Sequence, residues 1–346
     1  MRKLIKELSD MRGISGFEYR INRRIADMFL PYSDEVRIDN LGSVIAFRES
    51  GSPNAPKIMI EAHCDEIGLM VTSITDEGFI TFAAVGGIDQ RILPSLEVTV
   101  HGKKDIPGVI GIKPDRMLES KKTVSMKEMA IDTGLDAKIV KENIFVGDSI
   151  TMAQSIGALG KKQWSGKTLD DRASVAAIID VMKNIKDAEL NADVYAVAAV
   201  QEEVGCRGGK TTAGGIRPDI AIAIDVTHGI TPDNSDNAFE IGSGCAISVG
   251  PNIHPLLAKA LFKTAKKHNI KVTTEVCGGE TGTDAWEMQI ARGGGIPTAL
   301  LSIPLKYMHT SVETLAISDV KATSKLLTAF IMDFRDMTDF VYSAEV

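Results

Sequence analysis

Apolar and polar positions change their spacing twice along this chain of 346 residues. In residues 1–30 the apolar side chains recur at helical intervals and predict two amphipathic helices. Ser15-Gly16-Phe17-Glu18 reads as a capping box opening the second helix, and Pro31 as its stop. Short strands over Asp34–Asp39, Ser43–Arg48 and Lys57–Glu61 follow, the last with the apolar middle of a buried strand. From Gly68 to Met152, β-branched runs such as LMVTSIT, GFITFAAV and LEVTVHG are separated by Gly, Pro and Asp turn signals. That pattern predicts a small sheet or barrel, with one helical stretch at Met126–Ile131.

Beyond Trp164 strand and helix alternate. Helices are expected at Asp171–Ile185, Pro255–His268, Asp284–Ile290 and Ser318–Tyr342. Strands are expected at Val194–Val200, Ile220–Ile224, Ala246–Val249, Val272–Val276 and Thr298–Ser302. Such alternation indicates an α/β fold, a mostly parallel sheet between helices. Residues 1–67 and 163–346 then form one discontinuous domain, and 68–162 a β-rich insert. No internal repeat is evident.

Composition adds exclusions. Hydrophobic residues at 44% and charged residues at 25% are those of a globular protein, and a chain this long needs no staple to fold. A net charge of −7 lacks the basic footprint of a nucleic-acid or anionic-membrane partner. Four cysteines without a CxxC pair argue against a disulfide framework. The amino terminus lacks the apolar core of a signal peptide, and no apolar run reaches the ~20 residues of a membrane span. A cytoplasmic protein is expected.

The chemistry gathers at the carboxyl ends of the strands, where open parallel sheets bind ligands. Lys57–Glu61 runs into His63-Cys64-Asp65, Val194–Val200 into Glu202-Glu203, and Ile220–Ile224 into Asp225. Thr298–Ser302 leads to His309, and Leu169-Asp170-Asp171 opens a helix. Each piece alone has an ordinary explanation, a solvated acidic loop or a helix cap. Together, crowded carboxylates would repel one another unless cations sit among them. Three carboxylates and two imidazoles suit two divalent ions, zinc, cobalt or manganese. The charge of two such ions is balanced by Asp170, Glu203, Asp225 and one hydroxide, which leaves a carboxylate over for proton transfer. Asp65 shares a face with His63 in extended chain and supports the imidazole. Glu202 and Glu203 reach one site only if their strand ends there, which Gly205 and Gly208-Gly209 favour.

His63-Cys-Asp65-Glu-Ile-Gly, Leu169-Asp170-Asp171-Arg172, Gln201-Glu202-Glu203-Val-Gly205, Asp225-Val-Thr-His and Tyr307-Met-His309-Thr resemble the two-metal aminopeptidases that assemble as tetrahedral (TET) particles. That family includes glutamyl and leucyl aminopeptidases, and some relatives carry an endoglucanase label. Ser15-Gly-Phe-Glu18 and Gly279-Glu-Thr-Gly-Thr283-Asp284-Ala extend the likeness over nearly the whole chain. The resemblance implies a zinc-peptidase-like α/β/α sandwich with His63 and Asp225 on one metal, Glu203 and His309 on the other, and Asp170 between them. Glu202 would be the general base, with Asp65 beside it in the catalytic set. The substrates would be peptides with a free N-terminus. The insert would be a dimerisation domain, and the assembly a homo-oligomer, a dodecamer built from dimers. Whether acidic, basic or apolar N-terminal residues are preferred stays open.

Other residues receive plainer readings. His101 is expected in a surface hairpin and His268 at a helix end, where a cation suits the dipole. His254 and His228 are candidates for the cleft or its surroundings. Cys64 and Cys206 are read as small buried residues rather than thiolates. Other dimetal amide hydrolases, a carboxypeptidase or an N-acyl amino acid deacylase, remain alternatives. An endo-1,4-β-glucanase is a weaker one, since glycosidases work with a carboxylate pair and no metal.

Overall fold

The computed structural model describes residues 1–112, 124–232, 234, 237–340 and 342. Helices α1 (Arg2–Asp10) and α2 (Asn22–Phe29) lead into strands β1 (Glu35–Ile38), β2 (Val44–Arg48) and β3 (Lys57–His63). Then come β4 (Gly68–Ile74), β5 (Ile80–Val85), β6 (Glu97–His101), β7 (Asp105–Gly111), β8 (Ala130–Asp132), α3 (Ala137–Asn143) and β9 (Ser149–Met152). The chain continues through β10 (Gly157–Leu159), β11 (Gln163–Gly166), α4 (Leu169–Ile185), β12 (Asp193–Ala199), α5 (Arg207–Ile216) and β13 (Ile220–His228). It ends with β14 (Cys245–Val249), α6 (Pro255–Lys267), β15 (Val272–Val276), α7 (Asp284–Gln289), β16 (Thr298–Lys306), β17 (Glu313–Ala316) and α8 (Ile317–Asp333).

Among the described residues eleven strands form one sheet, in the order β1-β2-β12-β3-β13-β16-β17-β11-β10, with β14 beside β16 and β15 beyond it. Its centre, β12-β3-β13-β16, is parallel, and antiparallel strands extend it on both sides. The central strands are buried along almost their whole length, as a sheet covered on both faces requires. Helices α4, α8 and α1 cover one face, α5 and α7 the other. Strands β4 to β9 close into a separate barrel in the order β4-β5-β8-β7-β6-β9, filled by its own apolar cluster around Val71, Ile80, Val100, Ile131 and Ile150.

Several local expectations need correction. Ser15 and Glu18 cap no helix, because the chain makes a single 3-10 turn at Glu18–Arg20 and α2 begins only at Asn22. The expected helix at Met126–Ile131 is a 3-10 turn, Met126–Glu128, followed by β8. The helix of this region is α3, further along. The C-terminal helix stops at Asp333 rather than Tyr342, where Phe334 leaves helical geometry; Val341 within that range lies outside the described residues. Helix α5, with four glycines in RGGKTTAGGI, escapes a propensity reading altogether. His101 does sit in the β6–β7 hairpin, but its ring is buried, with Nδ1 2.7 Å from Asp105 Oδ1 and Nε2 2.9 Å from Thr151 Oγ1.

One buried ionic cluster joins α1, the segment after β3, and the start of α4. Arg172 is wholly buried and donates to the carbonyls of Cys64 (2.9 Å), Leu8 (3.0 Å) and Gly13 (3.1 Å) and to Glu66 Oε1 (3.2 Å). Glu66 also accepts from Lys167 Nζ at 2.5 Å and from the Gly13 amide at 2.9 Å. Burial pushes the Glu66 carboxyl up, but Lys167 and Arg172 outweigh it and hold the group below its ordinary range. Removing one partner of such a cluster leaves the other charge buried and unpaired. Arg172→Met is therefore expected to lower unfolding stability by about 3–5 kcal/mol, read from urea midpoints.

Candidate metal centre and active site

Strand register aligns the first donors. Ala199 at the end of β12 pairs with His63 at the end of β3, and Ala223 of β13 pairs with Glu61, so Asp225 stands level with His63. Beyond Ala199 the chain leaves the strand through Gln201, whose φ of 59° is left-handed. Glu202 and Glu203 thus lie in a turn, free of the strand's alternation. The turn closes into α5 through Gly208 and Gly209. A Cβ on Gly208 would meet the Val200 carbonyl at 2.3 Å, and one on Gly209 would meet Asp284 Cγ at 2.4 Å, so only glycine lets α5 approach. Thr168, Cys206, Tyr307 and His309 also have left-handed φ. Strained residues of this kind gather where the surrounding structure enforces a functional geometry.

The candidates predicted from sequence do converge. His63 Nε2 lies 3.2 Å from Asp170 Oδ1 and 3.9 Å from Glu202 Oε2. His309 Nε2 lies 3.4 Å from Asp170 Oδ2 and 3.2 Å from Glu203 Oε2. The two oxygens of Asp170 therefore face different imidazoles. Asp170 and Asp171 fall at the start of α4 with non-helical backbone angles, and the N-cap residue there is Thr168, whose side chain makes no capping hydrogen bond. Two donor groups, His63 with Asp170 and Glu203, and His63 with Asp171 and Asp225, each keep one ligand atom per residue within 4.8 Å of the others. Asp65 accepts from Ser15 Oγ at 2.6 Å, from the Glu202 amide at 3.1 Å and from the Glu203 amide at 3.3 Å. It lies 3.5 Å from His63 Nδ1, with no hydrogen bond formed there.

The donor set fits divalent cations. His309 Nδ1 sits 2.9 Å from the Gly87 carbonyl. A carbonyl only accepts, so Nδ1 carries the hydrogen, and in the neutral ring Nε2 keeps its lone pair toward Asp170 and Glu203. Asp171 is wholly buried, and both its carboxylate oxygens lack partners. The electrostatics report the same missing positive charge. Burial raises the carboxyls of Asp225 and Glu203, with the neighbouring carboxylate of Asp170 adding to the push. Glu202 is pushed up to about 9 by burial, with Asp225, Asp284 and Glu203 contributing. Burial pulls His309 down, yet Asp170 and Glu203 hold it up at about 11. Asp170, despite burial, is held well below its ordinary value by His309 and His63.

The bracing role of Glu313 went unnoticed in the sequence, and Glu18 reads there only as a helix cap and part of the family likeness. Buried Glu313 accepts the backbone amides of Asp170 and His309, each at 3.1 Å. Glu18 accepts the Gln201 amide at 3.0 Å. Ser15 and Glu18 keep their capping-type chemistry but spend it on the site. The donors open onto a cavity of about 520 Å³ whose wall also includes Cys206, Thr227, His228, Glu275, Thr281 and Met308. Cys206 donates its thiol to Glu202 Oε1 at 3.3 Å, while Cys64 is buried beneath. His228 reaches the cavity wall; His254 precedes α6 and packs on Tyr342, and His268 ends α6 2.8 Å from Asp333.

Comparison with known proteins bears on what this arrangement does. The family profile of the M42 glutamyl aminopeptidases matches residues 42–326. A lysyl aminopeptidase of Pyrococcus furiosus is 34% identical over 97% of this chain and 98% of its own length. An aminopeptidase from Desulfurococcus kamchatkensis superposes with a TM-score of 0.92 at 32% identity, covering 99% of this chain and 98% of its own. The Pyrococcus horikoshii TET1 peptidase, which can assemble into a tetrahedron or a large octahedral shell, superposes with a TM-score of 0.85 at 32% identity, covering 96% of this chain and 99% of its own. Among the described residues no helix is long and apolar enough to cross a membrane.

A second carboxyl pair lies under the donors. Glu61, on the same face of β3 as His63, and Asp284, at the start of α7, are both buried. Burial raises both; Asp284 is pushed up to about 6, and Glu61 well above its usual range with Asp284 adding to the push. A carboxyl raised in the fold penalises the folded state once pH exceeds its unfolded value of about 4, and the penalty is complete above its folded value. In metal-stripped protein, Asp284→Asn is therefore expected to stabilise the fold above pH 6. The gain, on the order of 2 kcal/mol, should disappear as pH falls toward about 4, as read from urea unfolding across that range.

Proposed function

This chain belongs to the M42 glutamyl aminopeptidase family of peptide hydrolases, and from that premise we propose that it removes the N-terminal residue of peptides by a two-metal mechanism. The observation that carries this reading is Asp170, whose two oxygens face His63 and His309 separately. In this reading Asp170 would help to hold both of two divalent ions, zinc or cobalt with manganese also suited. His63 and Asp225 would hold one of them, and Glu203 and His309 the other. Asp171, buried and unpartnered beside Asp225, adds a carboxylate to the first. Bound there, the ions supply Lewis acidity to the scissile carbonyl and make water nucleophilic near neutral pH.

The protein's own groups do the rest. Glu202 takes the proton of the attacking water and returns it to the leaving amine. The Cys206 thiol occupies Oε1 of Glu202, which leaves Oε2 facing the cavity beside His63. Asp65 is a positioning residue: its carboxylate ties down the amides of Glu202 and Glu203 and lies against the His63 ring. The acidic cavity wall holds the free α-amine of the substrate, which restricts cleavage to chain ends. Residues 68–162 form a dimerisation domain whose barrel region carries exposed apolar side chains at Phe79, Val109, Leu135, Phe145 and Val146, and the assembly is a dodecamer built from those dimers. The shells formed by the Pyrococcus horikoshii relative support that reading.

Three measurements test this. Glu202→Gln should bind metal as the wild type does, by elemental analysis, and lose about 10²–10⁴-fold in kcat; near-normal turnover would remove Glu202 from the role of base. Peptides with a free amine should be cleaved and their N-acetylated forms refused, with activity lost to a chelator and restored by zinc, cobalt or manganese. Preference for the acetylated forms would favour a deacylase instead. Val146→Asp should reduce the assembled mass by light scattering if the barrel region carries the contact.

A further inference from the structure

The cavity wall holds one carboxylate that the proposed chemistry does not use. Glu275, on the edge strand β15, is half-buried and accepts three hydroxyl hydrogen bonds: Thr227 Oγ1 to its Oε1 at 2.6 Å, and Ser248 Oγ and Ser302 Oγ to its Oε2 at 2.7 and 2.6 Å. The three hydroxyls come from β13, β14 and β16, and Thr227, Ser248 and Ser302 are themselves buried. Three strands thus spend buried donors on fixing one carboxylate. All three donors are neutral, and among the described residues no Lys, Arg or His side chain pairs with Glu275. Its Oε1 has a single partner, and a carboxylate oxygen has room for a second.

Its position relative to the donors follows from strand geometry. Thr227 lies two residues beyond Asp225 on the same face of β13, about 7 Å along the strand. Glu275 accepts from Thr227 Oγ1, so it stands on the wall of the same cavity about one such step along from Asp225. That is the span of a lysine's four-carbon stem. Charge points the same way. The charged side chains of the cavity wall, imidazoles aside, are Asp170, Glu202, Glu203, Asp225 and Glu275. Asp170, Glu203 and Asp225 are assigned to the two divalent ions and Glu202 to proton transfer, which leaves Glu275 as the wall carboxylate with neither a cation nor a step of the reaction. An acidic N-terminal side chain would meet it with like charge; a cationic one would supply its missing partner.

We propose that Glu275, fixed by Thr227, Ser248 and Ser302, selects peptides whose N-terminal residue is basic, lysine or arginine. The inference rests on the aminopeptidase reading and names the substrate class of that site. The ammonium of the N-terminal side chain donates to Glu275 Oε1, while the scissile bond lies at His63, Asp170 and Glu202.

The test compares aminoacyl 4-nitroanilides of lysine, norleucine and glutamate on the metal-loaded enzyme, lysine and norleucine differing in the ammonium group. The wild type should favour lysine over norleucine by about tenfold or more in kcat/KM, the effect of one hydrogen bond to a charged group, with glutamate poorest. Glu275→Gln should erase the lysine advantage and leave norleucine within about twofold. Equal rates on lysine and norleucine in the wild type would overturn the proposal without any variant. A fall shared by all three substrates in Glu275→Gln would also overturn it, since that would make Glu275 an α-amine holder or a structural tie. If no substrate is cleaved, the aminopeptidase reading fails instead. Calorimetric binding of lysine amide against norleucine amide then still decides this inference, tighter lysine amide supporting it and equal affinity refuting it.

Discussion

Everything at the centre of this protein is arranged around a surplus of buried negative charge. Asp170, Glu203, Asp225 and Asp171 converge with His63 and His309 at the rim of the parallel strands, and among the described residues no ammonium or guanidinium pairs with them. Like charges at such separations cannot all persist unless a counter-charge is present. The raised carboxyls of Glu203 and Asp225 and the raised imidazole of His309 are two expressions of that one deficit. The pair of divalent cations proposed for this site would resolve it without removing any side chain. This is why a constellation that would be costly in an empty protein makes sense as a metal centre.

Holding the charges together demands a stiff frame, and the frame is built from other carboxylates in a different role. Glu313, Glu18 and Asp65 spend their oxygens on backbone amides of the segments that carry the donors. The Glu66–Lys167–Arg172 cluster binds the start of α4 to the segment after β3 from below. The acidic side chains near the cavity therefore divide by partner. Those that accept amides or pair with buried cations position the loops; those that face imidazoles or nothing face the chemistry. The segment after β5 joins in through the Gly87 carbonyl that orients His309 and through Gly86, which packs on Glu203, so the β-rich region touches the site as well as standing apart from it.

Much of this was legible in the chain. Spacing marked the alternation that makes the central sheet, the β-rich run between Gly68 and Met152, and the strands that bring His63, Glu202, Asp225 and His309 to the rim, because apolar periodicity follows burial; the expected ends at Ile224 and Ser302 fell short, since β13 runs on to His228 and β16 to Lys306. Boundaries were less legible where tertiary contacts override local preference. Ser15-Gly16-Phe17-Glu18 has the residues of a capping box, yet Asp65 and the Gln201 amide compete for the same side chains and win. RGGKTTAGGI is a poor helix by propensity, and it is helical because only glycine at 208 and 209 lets it pack against β12 and Asp284.

The amino-acid order was enough to indicate which residue types come to the sheet's rim and to raise the expectation that their charge calls for cations, since both follow from composition and period along a single strand. Which oxygen faces which imidazole, which carboxylate braces an amide and which faces the cavity were settled only in three dimensions. Glu313 and Glu275 look alike on paper, each a glutamate at or near a strand end. One is turned onto the backbone of Asp170 and His309, the other onto three hydroxyls at the cavity wall. That difference arises from the pairing of strands far apart in the chain, and no local pattern carries it.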